Sequence, residues 1–151
     1  MSRGINVINK LLVDIFNDIL EMEQKYFKYT PFKDLTISEI HTIEAIGIYK
    51  PRMMKEIAFG LDITFGTLTT AINRLVKKQY VIRKRSDIDR RIVYIELTKK
   101  GKLVYRIHKK FHFDMVNESV KGLDKDEETI LISSLEKLND FFKSKYNIKV
   151  K

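Results

Sequence analysis

Arg83, Lys84 and Arg85 stand on one side of a short polar stretch, Ser86-Asp87-Ile88-Asp89, and Arg90 and Arg91 follow it. A guanidinium is permanently charged and presents a planar fork of donors that fits phosphates and base edges. So many of them in so short a span are held out to solvent or to an anionic partner. Asp89 is an odd choice for bare phosphate binding. It reads as an orienting group that holds a neighbouring guanidinium in one geometry, or as an ordinary turn residue. Upstream, Thr67, Thr70, Asn73, Arg74 and Lys77 recur at helical spacing, with Thr69 on the flank of that face. Asn pairs with adenine, Arg with guanine, and Thr touches a thymine methyl or a phosphate. Gly66 leaves room for a phosphate to approach the amides of a helix start, and Thr64 is the expected N-cap. Each residue alone reads as solvated surface. A threonine-faced helix followed by a basic hairpin reads as a DNA-binding surface, made of Thr64, Gly66, Thr67, Thr69, Thr70, Asn73, Arg74, Arg83, Arg85, Asp89, Arg90 and Arg91.

The elements that must position these groups follow from periodicity. Tyr80–Arg85 and Arg91–Leu97 are β-prone, and Ile92, Tyr94 and Glu96 alternate with Val93, Ile95 and Leu97 as in a half-buried strand. Leu68, Ile72, Leu75 and Val76 form the inner stripe of the helix before them. A long amphipathic helix is expected over Ile5–Lys28, and a second helix opens at Thr36, with Glu39 completing a capping box. Pro51 predicts the first turn of a short helix over Arg52–Phe59. Long helices follow over Thr98–Val120 and Asp124–Tyr146, with a frayed tail at Ile148–Lys151. The fold class is mainly α with a small β-hairpin: a winged helix-turn-helix over about 36–97, flanked by long N- and C-terminal helices (about 5–28 and 102–146) in a single domain. Those outer helices carry more apolar surface than so small a module can cover, and burial across a two-fold axis makes the expected state a homodimer.

The 151 residues include 29 Lys+Arg against 20 Asp+Glu, a net charge of +9, which favours a polyanion such as double-stranded DNA. Absence of cysteine excludes disulfides and thiol redox sensing. Met1–Lys10 is polar, and no apolar stretch approaches membrane-spanning length, so a cytoplasmic protein without a membrane partner is expected. No phosphate loop, nucleophile motif or acid pair points to an enzyme. The contrasting reading from another class is a basic module that binds nucleic acid or protein without reading sequence.

Asp89-Arg90-Arg91 followed by Val93-x-x-x-Leu97-Thr98-x-x-Gly101, together with Gly66-Thr67-Leu68-Thr69-Thr70 and Leu75, Tyr80 and Val81, resembles the wing and recognition helix of the MarR family of bacterial transcriptional regulators. The resemblance spans essentially the whole chain and implies a winged-helix homodimer with interlocked terminal helices. Ile40-His41-Thr42-Ile43, Leu97-Thr98-Lys99-Lys100-Gly101 and Arg106-Ile107-His108-Lys109-Lys110-Phe111-His112 are similar to the FabT type of that family, repressors of fatty-acid synthesis genes. That similarity implies a corepressor in the form of acyl carrier protein carrying an acyl chain. Ile15, Phe16, Ile19, Ile43, Phe111 and Met115 are then the candidate lining of an acyl pocket, or else plain core. The alternative within the family is a regulator that answers zinc or a small molecule.

His108 and His112 are four apart and share a helical face, and His41 could supply a third nitrogen, with Glu21 or Glu23 as an oxygen ligand. The competing reading has these histidines donating to carboxylates and titrating near neutral pH. Because a fourth ligand falls at no matching position, neither metal nor cofactor is expected.

Overall fold

The computed structural model describes residues 2–146: α1 (Arg3–Lys28), α2 (Ile37–Ile46), β1 (Arg52–Met53), α3 (Met54–Leu61), α4 (Phe65–Lys77), β2 (Val81–Arg85), β3 (Val93–Leu97), α5 (Lys99–Val120) and α6 (Lys125–Lys145). The tail expected at Ile148–Lys151 lies outside the described residues. No helix among those described is long and apolar enough to cross a membrane.

Helix starts follow local chemistry. Thr36 Oγ1 accepts from the Glu39 amide at 3.1 Å while Glu39 Oε2 accepts from the Thr36 amide at 3.0 Å, the reciprocal pair that satisfies two orphan donors. Asp124 and Glu127 repeat it before α6, at 2.8 and 3.0 Å. Helix α4 stops at Gln79, a non-glycine residue at φ +67°. There the Tyr80 amide reaches back to Leu75 O (2.9 Å) and Gln79 N to Val76 O (3.0 Å), closing the last turn so that the chain enters β2 at once.

The expected helix over Arg52–Phe59 begins two residues late. Arg52 and Met53 form instead a third strand, pairing antiparallel with Ile95 and Tyr94 on the free edge of β3. Helix α3 therefore starts at Met54, and Glu56 braces its entry by accepting from Arg52 Nε at 3.1 Å. The sheet order is β1-β3-β2, so the wing is a hairpin anchored by a central strand, not a free two-stranded ribbon. Val81 pairs with Leu97, Arg83 with Ile95 and Arg85 with Val93. One face of that ladder is buried at its root, at Val81, Ile95 and Leu97. Further out the same β2 face carries Arg83 and Arg85, both exposed.

Leu68, Ile72 and Leu75 are each fully buried, and they seat α4 on Ile40, Ile43 and Ile46 of α2, Ile57 of α3, Ile95 of β3 and Val104 of α5. Of the long helices, α5 joins this core through Val104 and Tyr105, whereas α1 and α6 mostly stay outside it. In α1 only Glu23 and Phe27 are buried, and in α6 no residue is. Ile8, Ile15 and Phe16 on α1 and Ile130, Leu135 and Phe141 on α6 are all exposed apolar side chains.

Candidate nucleic-acid interface

Seating α4 by its apolar stripe fixes what it shows outward: Thr67, Thr70, Asn73, Arg74 and Lys77 are exposed, and Thr69 is half-buried. The threonine hydroxyls spend their protons locally. Thr69 Oγ1 donates to Phe65 O (2.9 Å), Thr70 Oγ1 to Gly66 O (3.3 Å) and Thr64 Oγ1 to Thr67 Oγ1 (2.9 Å). Their methyl groups and acceptor lone pairs remain for a partner, which suits thymine methyls. Thr64 caps the helix by accepting from the Thr67 amide at 3.2 Å. No atom lies within 4 Å of where a Cβ on Gly66 would stand, so the first turn of α4 is open to a phosphate.

The wing tip is built by its own side chains. Ser86 Oγ accepts from the amides of Ile88 (3.2 Å) and Asp89 (3.3 Å) and shapes the turn. Asp89 then grips Arg91 in a two-pronged pair, Arg91 Nε to Oδ1 at 3.1 Å and Nη2 to Oδ2 at 3.0 Å, and also accepts from the Arg91 amide at 3.0 Å. Arg91, through its side chain and then its backbone, holds the Asp89 carboxyl below the usual carboxylate range. The Arg91 side chain remains 91% exposed, aimed but not covered. Arg85 and Arg90 are exposed beside it. Arg83 turns toward α4 and donates to Asn73 Oδ1. Arg83, Arg91 and Thr69 line one groove with Lys55 and Phe65, so wing and recognition helix form a continuous cationic surface. Ile88 stands 99% exposed at the tip, a feature that alternation could not reveal because it lies in a turn.

The six residues considered for an acyl pocket do not line one cavity. Ile43 is sealed in the core, whereas Ile15 and Phe16 face outward from the N-terminal half of α1. Phe111 and Met115 do come together, in a groove whose other apolar walls are Met22 and Tyr26. Met22 and Tyr26 share a helical face with Ile15 but lie two and three turns further along α1, where that helix meets Phe111 and Met115 of α5. The three histidines lie on the α1–α2–α5 side, gathered around Glu23. Glu21 pairs instead with Lys25 at the surface. Burial raises the Glu23 carboxyl, but His108 and His41 outweigh it and hold the group below its ordinary value. Burial likewise pushes His108 down, and the Glu44 and Glu23 carboxylates outweigh that and raise it.

The model of the family described as transcriptional regulator SarA/Rot matches residues 25–110. Streptococcus pneumoniae FabT, solved in complex with DNA, superposes with a TM-score of 0.87 at 38% identity, over 92% of this chain and 97% of that one. The HTH-type transcriptional regulator PchR of Bacillus subtilis (strain 168) is 22% identical over 149 residues, covering 88% of each chain. The HTH-type transcriptional regulator SarZ of Staphylococcus saprophyticus is 37% identical over 82 residues, 54% of this chain and 56% of that protein. Helix α4, its threonine face and the anchored basic wing fall within the matched span, and the relatives are regulators rather than enzymes. The chain belongs to the MarR/SarA family of winged-helix, DNA-binding transcriptional regulators.

Proposed function

We propose that this chain is a homodimeric repressor that reads its operator with α4 in the major groove and the Asp89–Arg91 wing in the neighbouring minor groove, and that it controls fatty-acid synthesis genes with acylated carrier protein as corepressor. The observation that carries the reading is the pairing of an exposed Thr/Asn/Arg helix face with an exposed guanidinium pre-oriented by Asp89 on the same side of the molecule. A narrow minor groove concentrates negative potential, and a guanidinium held in one geometry enters it with less ordering cost. The apolar faces of α1 and α6 support the dimer, because exposed stripes of this length are stable when a second copy covers them. The fatty-acid role rests on the similarity to FabT. The groove of Met22, Tyr26, Phe111 and Met115 offers an apolar wall to an acyl chain.

The test is a titration of duplex DNA from the promoters of fatty-acid synthesis genes, with scrambled competitor, in the presence and absence of carrier protein bearing a long acyl chain. Competitor-resistant binding that tightens with the acylated carrier supports the proposal. Equal affinity for every duplex returns the chain to a non-specific basic module. Specific binding indifferent to the acylated carrier removes the corepressor and keeps the repressor. Light scattering at micromolar concentration is expected to give twice the chain mass.

A further inference from the structure

The wing carries one side chain that neither the fold nor the charged DNA surface accounts for. Ile88 at its tip is 99% exposed, more than any other large apolar side chain among the described residues. Elsewhere in the hairpin Val81, Ile95 and Leu97 are buried, and Ile92 and Val93 are half-buried. Isoleucine has no local reason to stand in a turn, where Gly, Asn, Asp and Ser supply backbone freedom or hydrogen bonds. Nor does its side chain shape the tip. Ser86 Oγ accepts from the amides of Ile88 and Asp89, at 3.2 and 3.3 Å, and Asp89 Oδ1 accepts from the Arg91 amide at 3.0 Å. Ser86 N donates to Ile92 O at 2.9 Å, and Ile92 N donates to Asp89 O at 3.0 Å. The loop therefore holds its form through backbone, Ser86 and Asp89, and presents whatever side chain stands at position 88.

The neighbours of Ile88 indicate which surface covers it. Arg85, Arg90 and Arg91 flank it in the chain and are exposed, Asp87 is exposed beside it, and Asp89 is engaged by Arg91. An apolar pocket on a protein would strip water from these guanidiniums and return no hydrogen bond. The minor groove of duplex DNA supplies both kinds of surface at once. Phosphates line its rims for the cations, and the sugar walls and base stack between them are apolar. Side chains such as Ile, Leu, Met and Phe enter that groove as wedges between base steps. Isoleucine suits the part because its branched Cβ fixes χ1, so it is stiff and has little rotamer freedom to lose.

The groove is about 6 Å wide, so an isoleucyl side chain seated in it presses on the base stack. Pyrimidine–purine steps unstack most readily, and A·T tracts narrow the groove and deepen its negative potential. A TA step between A·T pairs meets both demands of this tip: the narrow flanks draw Arg91, and the step yields to Ile88.

We propose that Ile88 is an apolar wedge that enters the minor groove beside Arg91 and opens a pyrimidine–purine step, so that the wing selects sequence through the stiffness of a step no hydrogen bond reads. The proposal rests on the reading of the wing as a minor-groove element and adds a contact of different chemistry. Arg91 contributes charge, which displaces counterions and weakens with salt. Ile88 contributes apolar burial, which displaces none.

The experiment enriches a random duplex pool on the wild-type chain and compares the selected duplex with a scrambled one of the same composition. Ile88→Ser is expected to lose roughly tenfold in affinity for the selected duplex. Its affinity for the scrambled duplex and its slope of log K against log salt should stay close to those of the wild type. Ile88→Leu, still apolar, is expected to retain most of the affinity. Thermal unfolding of both variants should match the wild type, because the side chain touches no core. Each adenine of the selected duplex is then replaced in turn by 2-aminopurine, which brightens when it unstacks. The wild type is expected to brighten one step in each half-site, and Ile88→Ser none.

Equal affinity of wild type and Ile88→Ser for the selected duplex, or brightening that persists in Ile88→Ser, overturns the wedge, leaves the repressor reading standing and assigns the tip to a protein partner. An equal loss on selected and scrambled duplexes overturns the role in sequence choice. A pool from which no sequence is enriched overturns the sequence-reading repressor, and the wedge falls with it.

Discussion

Arg83, on wing strand β2, donates through Nη2 to Oδ1 of Asn73 on recognition helix α4, joining the two elements by a single bond at the exposed surface. In sequence the two residues read as independent contacts to DNA. The structure couples them: with its oxygen engaged, Asn73 turns its amide donors outward, and Arg83 acts from a position fixed by α4. Asn73→Ala and Arg83→Ala are each expected to weaken operator binding, and the double variant to lose less than the sum, with a coupling of about 0.5–3 kcal/mol. Thermal unfolding should barely move, since an exposed pair contributes little to stability. Binding losses that add within about 0.3 kcal/mol show that the residues meet DNA separately.

The Asp89–Arg91 pair separates charge from orientation. Arg91→Ala is expected to lower affinity for any duplex and to reduce the slope of log K against log salt by about 1, as one counterion-releasing contact is lost. Asp89→Asn removes a negative charge yet frees the guanidinium to wander. Affinity for scrambled DNA should then hold or rise while operator affinity falls. Anisotropy titrations on both duplexes at several salt concentrations check this. Operator binding that strengthens in Asp89→Asn shows that orientation by Asp89 is unimportant.

That pair was legible in the sequence because its members are two residues apart, as were the capping boxes at Thr36 and Asp124, whose partners lie three residues on. What could not be read is what depends on distant packing. Strand β1 exists because Arg52 finds Ile95 on the open edge of β3, and Pro51 ahead of it looked equally like a helix start. The apolar periods of α1 identified an inner face without saying which part of it meets α5. Hence the groove beside Phe111 and Met115 is walled by Met22 and Tyr26, while the candidates Ile15 and Phe16 lie nearer the start of α1. Glu23 meets His108 across 85 residues of chain, so the histidines were visible as a pair while the carboxylate that gathers them was only one of two candidates.

Glu44 gives the molecule a pH signature. Contact with His108 and then Lys109 overcomes its partial burial and holds its carboxyl at about 2. A depressed carboxylate stabilises the fold above its unfolded value of about 4.3, and that contribution is lost as pH falls toward 2. His108 is raised above its ordinary 6.5, so its contribution is complete below that value and is lost as pH climbs through the raised one. The stability advantage of the wild type over Glu44→Gln should therefore peak at about pH 5–6 and shrink on both sides. Urea midpoints measured from acid to mildly alkaline pH test this. A difference that stays flat across the range means that Glu44 acts by packing and not by charge.

Gly101 and Gly66 make opposite demands on one substitution. Thr98 Oγ1 donates to Gln79 O at 2.7 Å and accepts from the Gly101 amide at 3.1 Å, pressing the first turn of α5 onto the end of α4. A Cβ at Gly101 would stand 2.2 Å from Tyr80 O, a backbone atom that also accepts from the Thr98 amide at 3.0 Å and cannot swing aside. Alanine in a helix gains about 1 kcal/mol over glycine, but a clash with fixed backbone exceeds that gain. Gly101→Ala is expected to destabilise the fold by about 1–3 kcal/mol. At Gly66 the same change meets open space within α4, so stability should rise by about 0.5–1 kcal/mol. If a phosphate approaches that turn, Gly66→Ala weakens operator binding despite the sturdier fold, and no global unfolding effect accounts for a loss of that sign. Unfolding midpoints and operator titrations on the two variants decide both points. A Gly66→Ala protein that binds its operator as tightly as the wild type places the start of α4 away from the DNA backbone.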